Sequence, residues 1–288
     1  MASDIKGLDR VRKVERNPPI RRIGLGIRRA DVCLVVLPMK KLLIPFALLF
    51  LYLSLFGEKP NVVIVFTDDQ GYGDLACYGS KTNKTPRLDQ LAKEGTLFTS
   101  FYTQTVCGPS RSALLTGRYP CRSKGWGMPA SEITFGELMQ KAGYQTACIG
   151  KWDVSNRKAI IDRMPNAQGF DYYFGALGAN DGGGVKFHEN NKAAGTSRDM
   201  GELTTLYTDK SIEFLKKKRD PKKPFVLYLA HTMMHTIIDA SDRFRDKSKG
   251  GLYGDVVEEF DYETGRLLDT LEELGLSENT LFIYTSDN

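Results

Sequence analysis

Short apolar runs that predict β-strands constrain the fold more than any other feature of this sequence. The first, Asn61-Val-Val-Ile-Val-Phe, is continuous and rich in β-branched residues, which is typical of a strand buried on both faces. Similar runs follow at 96–102, 146–149, 224–230 and 279–285. A chain built around such strands needs other elements to cover both faces of its sheet.

Predicted helices separate most of these strands. They cover 85–95, 134–143, 204–218 and 253–274, and Thr134 with Glu137 forms a capping-box pattern. Alternation of strand and helix predicts an α/β fold with a mostly parallel sheet and helices on both faces. The Gly- and Asn-rich stretch 167–201 shows little periodicity, so we expect a long loop there, over the active face.

Polar residues follow the predicted strands where each strand ends. They are Asp68, Asp69, Lys151, His231, His235, Asp287 and Asn288. Open α/β sheets bind ligands at the carboxyl ends of their strands, so we expect these side chains to gather in one site. Taken singly, each has a plainer interpretation: a solvated acidic turn, a solvent-facing lysine or a hydrogen-bonded strand-end histidine.

The segment 106–117 adds a candidate reactive residue. Pro109 and the following Ser-Arg-Ser-Ala-Leu-Leu predict a helix that begins close to Cys107 and ends before Gly117. Free backbone N–H groups at a helix N-terminus favour anions, and Arg111 lies about one turn beyond Cys107. The pattern indicates an anion-processing site, and a buried free cysteine beside a surface arginine is the alternative.

The acidic strand ends also suggest a metal. Asp68, Asp69, Asp287 and Asn288 offer oxygen ligands, which suit Ca²⁺ or Mg²⁺ better than Zn²⁺. His231 and His235 are four residues apart but lack the glutamate of a zinc-protease motif.

Residues 1–57 differ from the rest of the chain. Basic residues concentrate there, so the formal net charge of +5 does not describe the remainder, and nothing indicates a nucleic-acid partner. Residues 1–38 are predicted to be a basic, non-globular extension. Residues 39–57 carry Met39-Lys-Lys before an apolar stretch, which predicts a signal peptide and a periplasmic or secreted protein. An uncleaved membrane anchor is the alternative.

Several motifs together resemble the type I sulfatases of the alkaline-phosphatase-like superfamily. They are Pro60-Asn61 with Asp68-Asp69, Cys107-Gly-Pro-Ser-Arg111 followed by Leu-Thr-Gly-Arg118, Gly150-Lys151-Trp152, a histidine after the 224–230 strand, and Thr285-Ser-Asp-Asn288. The resemblance implies that 58–288 is a sulfatase catalytic domain, incomplete at its C-terminus. It also implies hydrolysis of sulfate esters, from small molecules or carbohydrates, to sulfate and an alcohol.

The resemblance further implies a role for each motif residue. A formylglycine-generating enzyme would oxidise Cys107 to Cα-formylglycine, and Ca²⁺, or alternatively Mg²⁺, would bind Asp68, Asp69, Asp287, Asn288 and residue 107. Arg111 would hold the formylglycine. Lys151 and His235 would contact the sulfate oxygens, and His231 is a second candidate for substrate binding.

Two departures from the family pattern leave alternatives open. Asp153 stands where family members often have a histidine, and an unpaired carboxylate facing the sulfate would oppose an anionic substrate. Family members also continue beyond Asp287-Asn288, so we expect the chain as given to be inactive, with both residues at a frayed end. The alternatives are a phosphonate or phosphate ester hydrolase of the same superfamily, and a catalytically inactive metal-binding homologue.

Overall fold

A computed structural model describes residues 58–288. The predicted basic extension and the signal peptide or anchor lie outside the described residues. Within 58–288, every helix is too short or too polar to cross a membrane.

A seven-stranded sheet forms the centre of the protein. Its strands are β1 (Asn61–Thr67), β2 (Gln145–Lys151), β3 (Tyr172–Ala176), β4 (Val185–Glu189), β5 (Lys192–Ser197), β6 (Phe225–Ala230) and β7 (Thr280–Ser286). They lie in the order β5-β4-β3-β2-β6-β1-β7. The pairs from β7 through β1, β6 and β2 to β3 are parallel, and β4 and β5 are antiparallel. The predicted mostly parallel α/β fold is therefore confirmed.

Strand β1 lies inside the sheet, and each of its residues is buried. Val63 and Val65 belong to the apolar core on one face, whereas Val62 and Ile64 belong to a second core on the other face. This alternation follows from the two-residue period of a strand. It explains why the sequence of β1 is continuously apolar.

Helices cover both faces of the sheet. They are α1 (Pro86–Glu94), α2 (Cys107–Thr116), α3 (Pro120–Ser123), α4 (Phe135–Lys141), α5 (Leu203–Glu213) and α6 (Gly251–Glu273), and a π-helical turn, Phe214–Lys218, continues α5. The predicted capping box begins α4, because Thr134 Oγ1 accepts from the Glu137 N–H and the Glu137 carboxylate accepts from the Thr134 N–H. Gly117 ends α2 in the left-handed conformation that glycine adopts without strain.

Two sequence-based expectations are wrong. Residues 96–102 form no strand, and the side chains of Phe98, Phe101 and Tyr102 are exposed. An apolar, aromatic run forms a strand only when a neighbouring strand pairs with it, and no described strand pairs with this one.

The second error concerns 167–201, which holds strand β3 and the β4–β5 hairpin rather than one long loop. Buried Val185 and Phe187 alternate with more exposed neighbours in β4. The hairpin turns at Asn190, whose positive φ of 52° suits an asparagine. The alternation of apolar and polar residues in β4 and the Asn190-Asn191 pair are sequence patterns that predict a hairpin.

Candidate active site at the carboxyl edge of the sheet

Cys107 is the first residue of α2 and is buried. Its Sγ lies 3.2 Å from Asp153 Oδ2, so the thiol donates a hydrogen bond to this carboxylate. Burial raises the pKa of the Cys107 thiol to about 11, because the attraction of Lys151 for the thiolate is outweighed by desolvation and by Asp153. An unmodified Cys107 is therefore protonated near neutral pH and is a weak nucleophile.

Arg111 lies one turn further along α2, is completely buried and ties three strand ends together. Its Nη1 donates to the Lys151 carbonyl at the end of β2, 3.1 Å away, and its Nη2 to the His231 carbonyl just after β6, 3.0 Å away. Nε and Nη2 donate to Asp287 Oδ2, just after β7, at 3.0 and 2.8 Å. Burial alone would lower the pKa of Arg111, but the charges of Asp287 and Asp68 raise it, so the guanidinium stays charged.

Lys151 links the reactive cysteine to the acidic residues. Its Nζ donates to Asp68 Oδ2 at 2.6 Å and lies 3.6 Å from Asp153 Oδ2, with all three side chains fully buried. Desolvation raises the pKa of Asp68 to about 7, and the positive charges of Arg111 and Lys151 oppose this rise. The site therefore concentrates charges that need close partners.

The acidic residues at the ends of β1 and β7 fit a hard divalent cation. One carboxylate oxygen from each of Asp68, Asp69 and Asp287 lies within 4.8 Å of the others. Asp68 Oδ1 is buried without a hydrogen-bond partner. Asn288 Nδ2 donates to both Asp69 Oδ1 and Asp287 Oδ1, and rotating this amide would bring its oxygen to the same place. Asp68 Oδ1, which has no hydrogen-bond partner, lies among other oxygen atoms that can bind a metal, and such a set of ligands suits Ca²⁺ or Mg²⁺.

Asp287 lies next to the last residue of the chain but is fully buried. It accepts from Arg111 through Oδ2 and from the Asp69 N–H through Oδ1, and its own N–H donates to the Thr67 carbonyl. The expectation of a frayed end is therefore wrong for Asp287.

The two histidines lie in different environments. His231 is buried, its ring packs edge-on against Tyr207 and Phe260, and its Nδ1 accepts from the Met233 N–H. Burial and the charge of Arg111 lower the pKa of His231 to about 3, so this ring is neutral. The ring of His231 therefore packs among core aromatic residues, and its substrate-binding role stays a prediction.

His235 lies on the open side of the site and is partly exposed. Its Nε2 is 3.8 Å from Asp69 Oδ2 and 3.3 Å from Asp181 Oδ1. The structure therefore brings His235 next to the acidic residues, whereas His231 contributes only its backbone carbonyl.

Asp153 is buried and paired, unlike the free carboxylate considered from the sequence. Its Oδ1 accepts from Arg157 Nε at 2.9 Å, and its Oδ2 accepts from Trp126 Nε1 at 3.0 Å as well as from the Cys107 thiol. These partners offset its negative charge. The condition under which Asp153 would oppose an anionic substrate is therefore not met.

Three residues of this constellation were not found from the sequence. Arg157 and Trp126 bind Asp153, and Asp181 joins Arg157 to His235. The spacing of four residues between Asp153 and Arg157 was a weak sequence signal for Arg157. Trp126 and Asp181 carried no signal, because tertiary contacts alone bring them to the site.

A family model described as Sulfatase matches residues 60–288, and the chain belongs to the sulfatase family. It is 36% identical over 265 residues to N-acetylgalactosamine-6-sulfatase of Mus musculus, covering 80% of this chain and 50% of that protein. It is 30% identical over 344 residues to steryl-sulfatase of Homo sapiens, covering 87% and 59%. The chain thus spans about half the length of the curated relatives it matches.

A solved structure shows the same fold. The crystal structure of Ps i-CgsB in complex with k-i-k-neocarrahexaose superposes with a TM-score of 0.72 at 29% identity. The match covers 80% of this chain and 59% of that one.

Proposed function

We propose that the protein hydrolyses sulfate esters at residue 107, releasing sulfate and an alcohol. One observation carries this proposal. In a member of the sulfatase family, Cys107 begins α2 within one connected set of contacts that includes Lys151, Arg111 and the acidic residues. Positive groups placed beside a reacting position stabilise negative charge that develops in a transition state.

The cysteine itself is not the nucleophile in this proposal, because its thiol is protonated near neutral pH. Formylglycine made from Cys107 would supply a hydroxyl nucleophile, and Ca²⁺, with Mg²⁺ as the alternative, would supply positive charge beside it. A formylglycine-generating enzyme is therefore a required partner.

The other residues of the chain hold and orient these groups. Asp68, Asp69, Asp287 and Asn288 would hold the cation, and Arg111 keeps the Asp287 carboxylate fixed. Lys151 has three N–H donors, so it has donors for a sulfate oxygen besides the one that Asp68 accepts. His235, on the open side, would contact the sulfate from the direction of solvent.

A sulfated carbohydrate or other small-molecule sulfate ester is the proposed substrate, because a structural neighbour holds the ligand k-i-k-neocarrahexaose. A periplasmic or secreted location is proposed from the sequence of 39–57. The protein would attach to a membrane only if that segment were not cleaved.

Matched aryl sulfate and aryl phosphate esters test the proposal. The full-length protein, produced with a formylglycine-generating enzyme and supplied with Ca²⁺, is expected to hydrolyse the sulfate faster, and its Cys107→Ala variant is expected to hydrolyse neither; residues 58–288 alone are expected to be inactive. Faster phosphate hydrolysis would favour the phosphonate or phosphate ester hydrolase. Calcium binding without turnover of either ester would favour the inactive homologue.

A further inference from the structure

Arg157 connects two carboxylates that lie on different sides of the candidate site. Its Nε donates to Asp153 Oδ1 at 2.9 Å and its Nη1 to Asp181 Oδ2 at 2.7 Å. Asp153 in turn contacts the Cys107 thiol, and Asp181 contacts His235. The planar guanidinium is suited to this task, since it offers several N–H groups in a fixed geometry.

The local backbone conformation and a neighbouring glycine position the Arg157 side chain. Asp153, Asn156 and Arg157 all have positive φ, at 54°, 53° and 56°. Such conformations are uncommon outside glycine and concentrate at functional sites. Gly178 lies directly against the arginine, because a Cβ at Gly178 would come within 3.0 Å of Arg157 Cδ and Cγ.

The position of Asp153 matters for Lys151. Asp153 is fully buried, and its cationic neighbours are Arg157 at 2.9 Å and Lys151 Nζ at 3.6 Å. A buried carboxylate that loses one cation depends more strongly on the other, because an unpaired buried charge is costly. Without Arg157, Asp153 would therefore pair with Lys151 and compete with an anionic substrate for its ammonium group.

We propose that Arg157 is a positioning residue that holds Asp153 against Cys107 and Asp181 against His235, and so keeps Lys151 available to the substrate. The part concerning substrate rests on the proposed sulfatase function. The part concerning Asp153 does not, and each part has its own readout.

The indole N–H of Trp126 reports on Asp153 without any turnover. The chain has two tryptophans: Trp126 Nε1 donates to Asp153 Oδ2, and Trp152 Nε1 donates to the Arg163 carbonyl. In ¹⁵N-labelled protein, Arg157→Gln and Gly178→Ala are expected to shift the Trp126 indole signal and leave that of Trp152 in place. Gly178→Ala keeps every charge, so its shift reports on the position of Arg157 alone.

Gly182→Ala is the matched control, because it lies in the same segment and a Cβ there meets nothing within 4 Å. It is expected to leave both indole signals unchanged. A Trp126 signal that stays in place in both Arg157→Gln and Gly178→Ala, with Trp126→Phe used to assign it, would overturn the positioning of Asp153.

Steady-state kinetics test the part that concerns substrate. Arg157→Gln is expected to raise KM for an aryl sulfate about tenfold and to change kcat less than about twofold, because a weakened anion contact acts mainly on binding. Gly178→Ala is expected to shift KM in the same direction, and Gly182→Ala to leave it unchanged. An unchanged KM in Arg157→Gln, or a fall confined to kcat, would overturn the proposed effect on Lys151.

Discussion

The candidate site has a buried half and an open half, and the two are built differently. Asp68, Arg111, Lys151 and Asp287 are completely buried, whereas Asp69, Arg157 and Asp181 have side chains that are 42%, 43% and 47% exposed. In the buried half, removing one partner leaves a charge that water does not solvate. In the open half, water screens the pairs that Asp181 forms with Arg157 and His235. The buried half therefore depends more strongly on each of its ion pairs than the open half does.

Removing Arg111 should have the largest effect on stability. Arg111→Met leaves Asp287 and Asp68 without their shared cation, and breaking a buried pair in this way costs about 3–5 kcal/mol. Urea unfolding measures this change. The matched variant in the open half, Arg157→Met, is expected to cost less than this, because the guanidinium is partly exposed and buried Asp153 keeps Lys151 Nζ at 3.6 Å and the hydrogen bond from Trp126 Nε1. An equal loss of unfolding free energy in the two variants would contradict the distinction between the buried and open halves.

The buried histidine should make stability fall in acid. The pKa of His231 is about 3 in the folded protein, against an ordinary 6.5. Its contribution is fully present above pH 6.5 and is lost as pH falls towards 3, because the unfolded chain takes up the proton first. The maximum slope for one proton is about 1.4 kcal/mol per pH unit.

His231→Asn removes this titration while keeping an oxygen that accepts from the Met233 N–H. Urea unfolding between pH 7 and 4 should therefore show a steeper acid loss in the parent protein than in His231→Asn. Asp68 acts in the opposite sense, since its raised pKa costs stability as pH rises, but both proteins share it. Parallel pH profiles would show that folding does not lower the pKa of His231.

Asp69 lies in the open half but belongs to the proposed cation site. Asp69→Asn is expected to weaken Ca²⁺ binding by at least about tenfold, since ligand-shell changes typically cost this much. Calorimetric titration with Ca²⁺ measures the change. Without Ca²⁺, the melting temperature of Asp69→Asn should match that of the parent. An unchanged Ca²⁺ affinity would place the cation elsewhere.

The smallest effect is expected at Asp181. Asp181→Asn removes a partly exposed partner of Arg157 and His235, and exposed pairs contribute about 0–1 kcal/mol. Urea unfolding should therefore barely distinguish it from the parent. A loss as large as that of Arg111→Met would show that the open half is as tightly coupled as the buried half.

The sequence predicted the buried half better than the open half. Continuous apolar runs located β1, β2, β6 and β7, and parallel strands bring the residues that follow them to one edge. That argument reached Asp68, Lys151 and Asp287. It did not separate His231 from His235, because the course of the chain after β6 decides which ring enters the core.

The open half depends on contacts that no local pattern encodes. The positive φ angles at Asp153, Asn156 and Arg157 turn the chain so that Arg157 meets Gly178 and Asp181, both distant in sequence. The strand predicted at 96–102 is absent for a related reason. A strand needs a neighbouring strand to pair with, and its own residues do not specify that neighbour.

Mass spectrometry of the tryptic peptide 94–111 tests the central claim most directly. In the full chain produced with a formylglycine-generating enzyme, Cys107 should lose the elements of H₂S and gain one oxygen atom, the change from a thiol to an aldehyde. Cys121, which is exposed and outside the site, should stay unmodified in the same sample. An unmodified Cys107, in a host that converts the cysteine of another sulfatase, would contradict the proposal that this residue carries the chemistry.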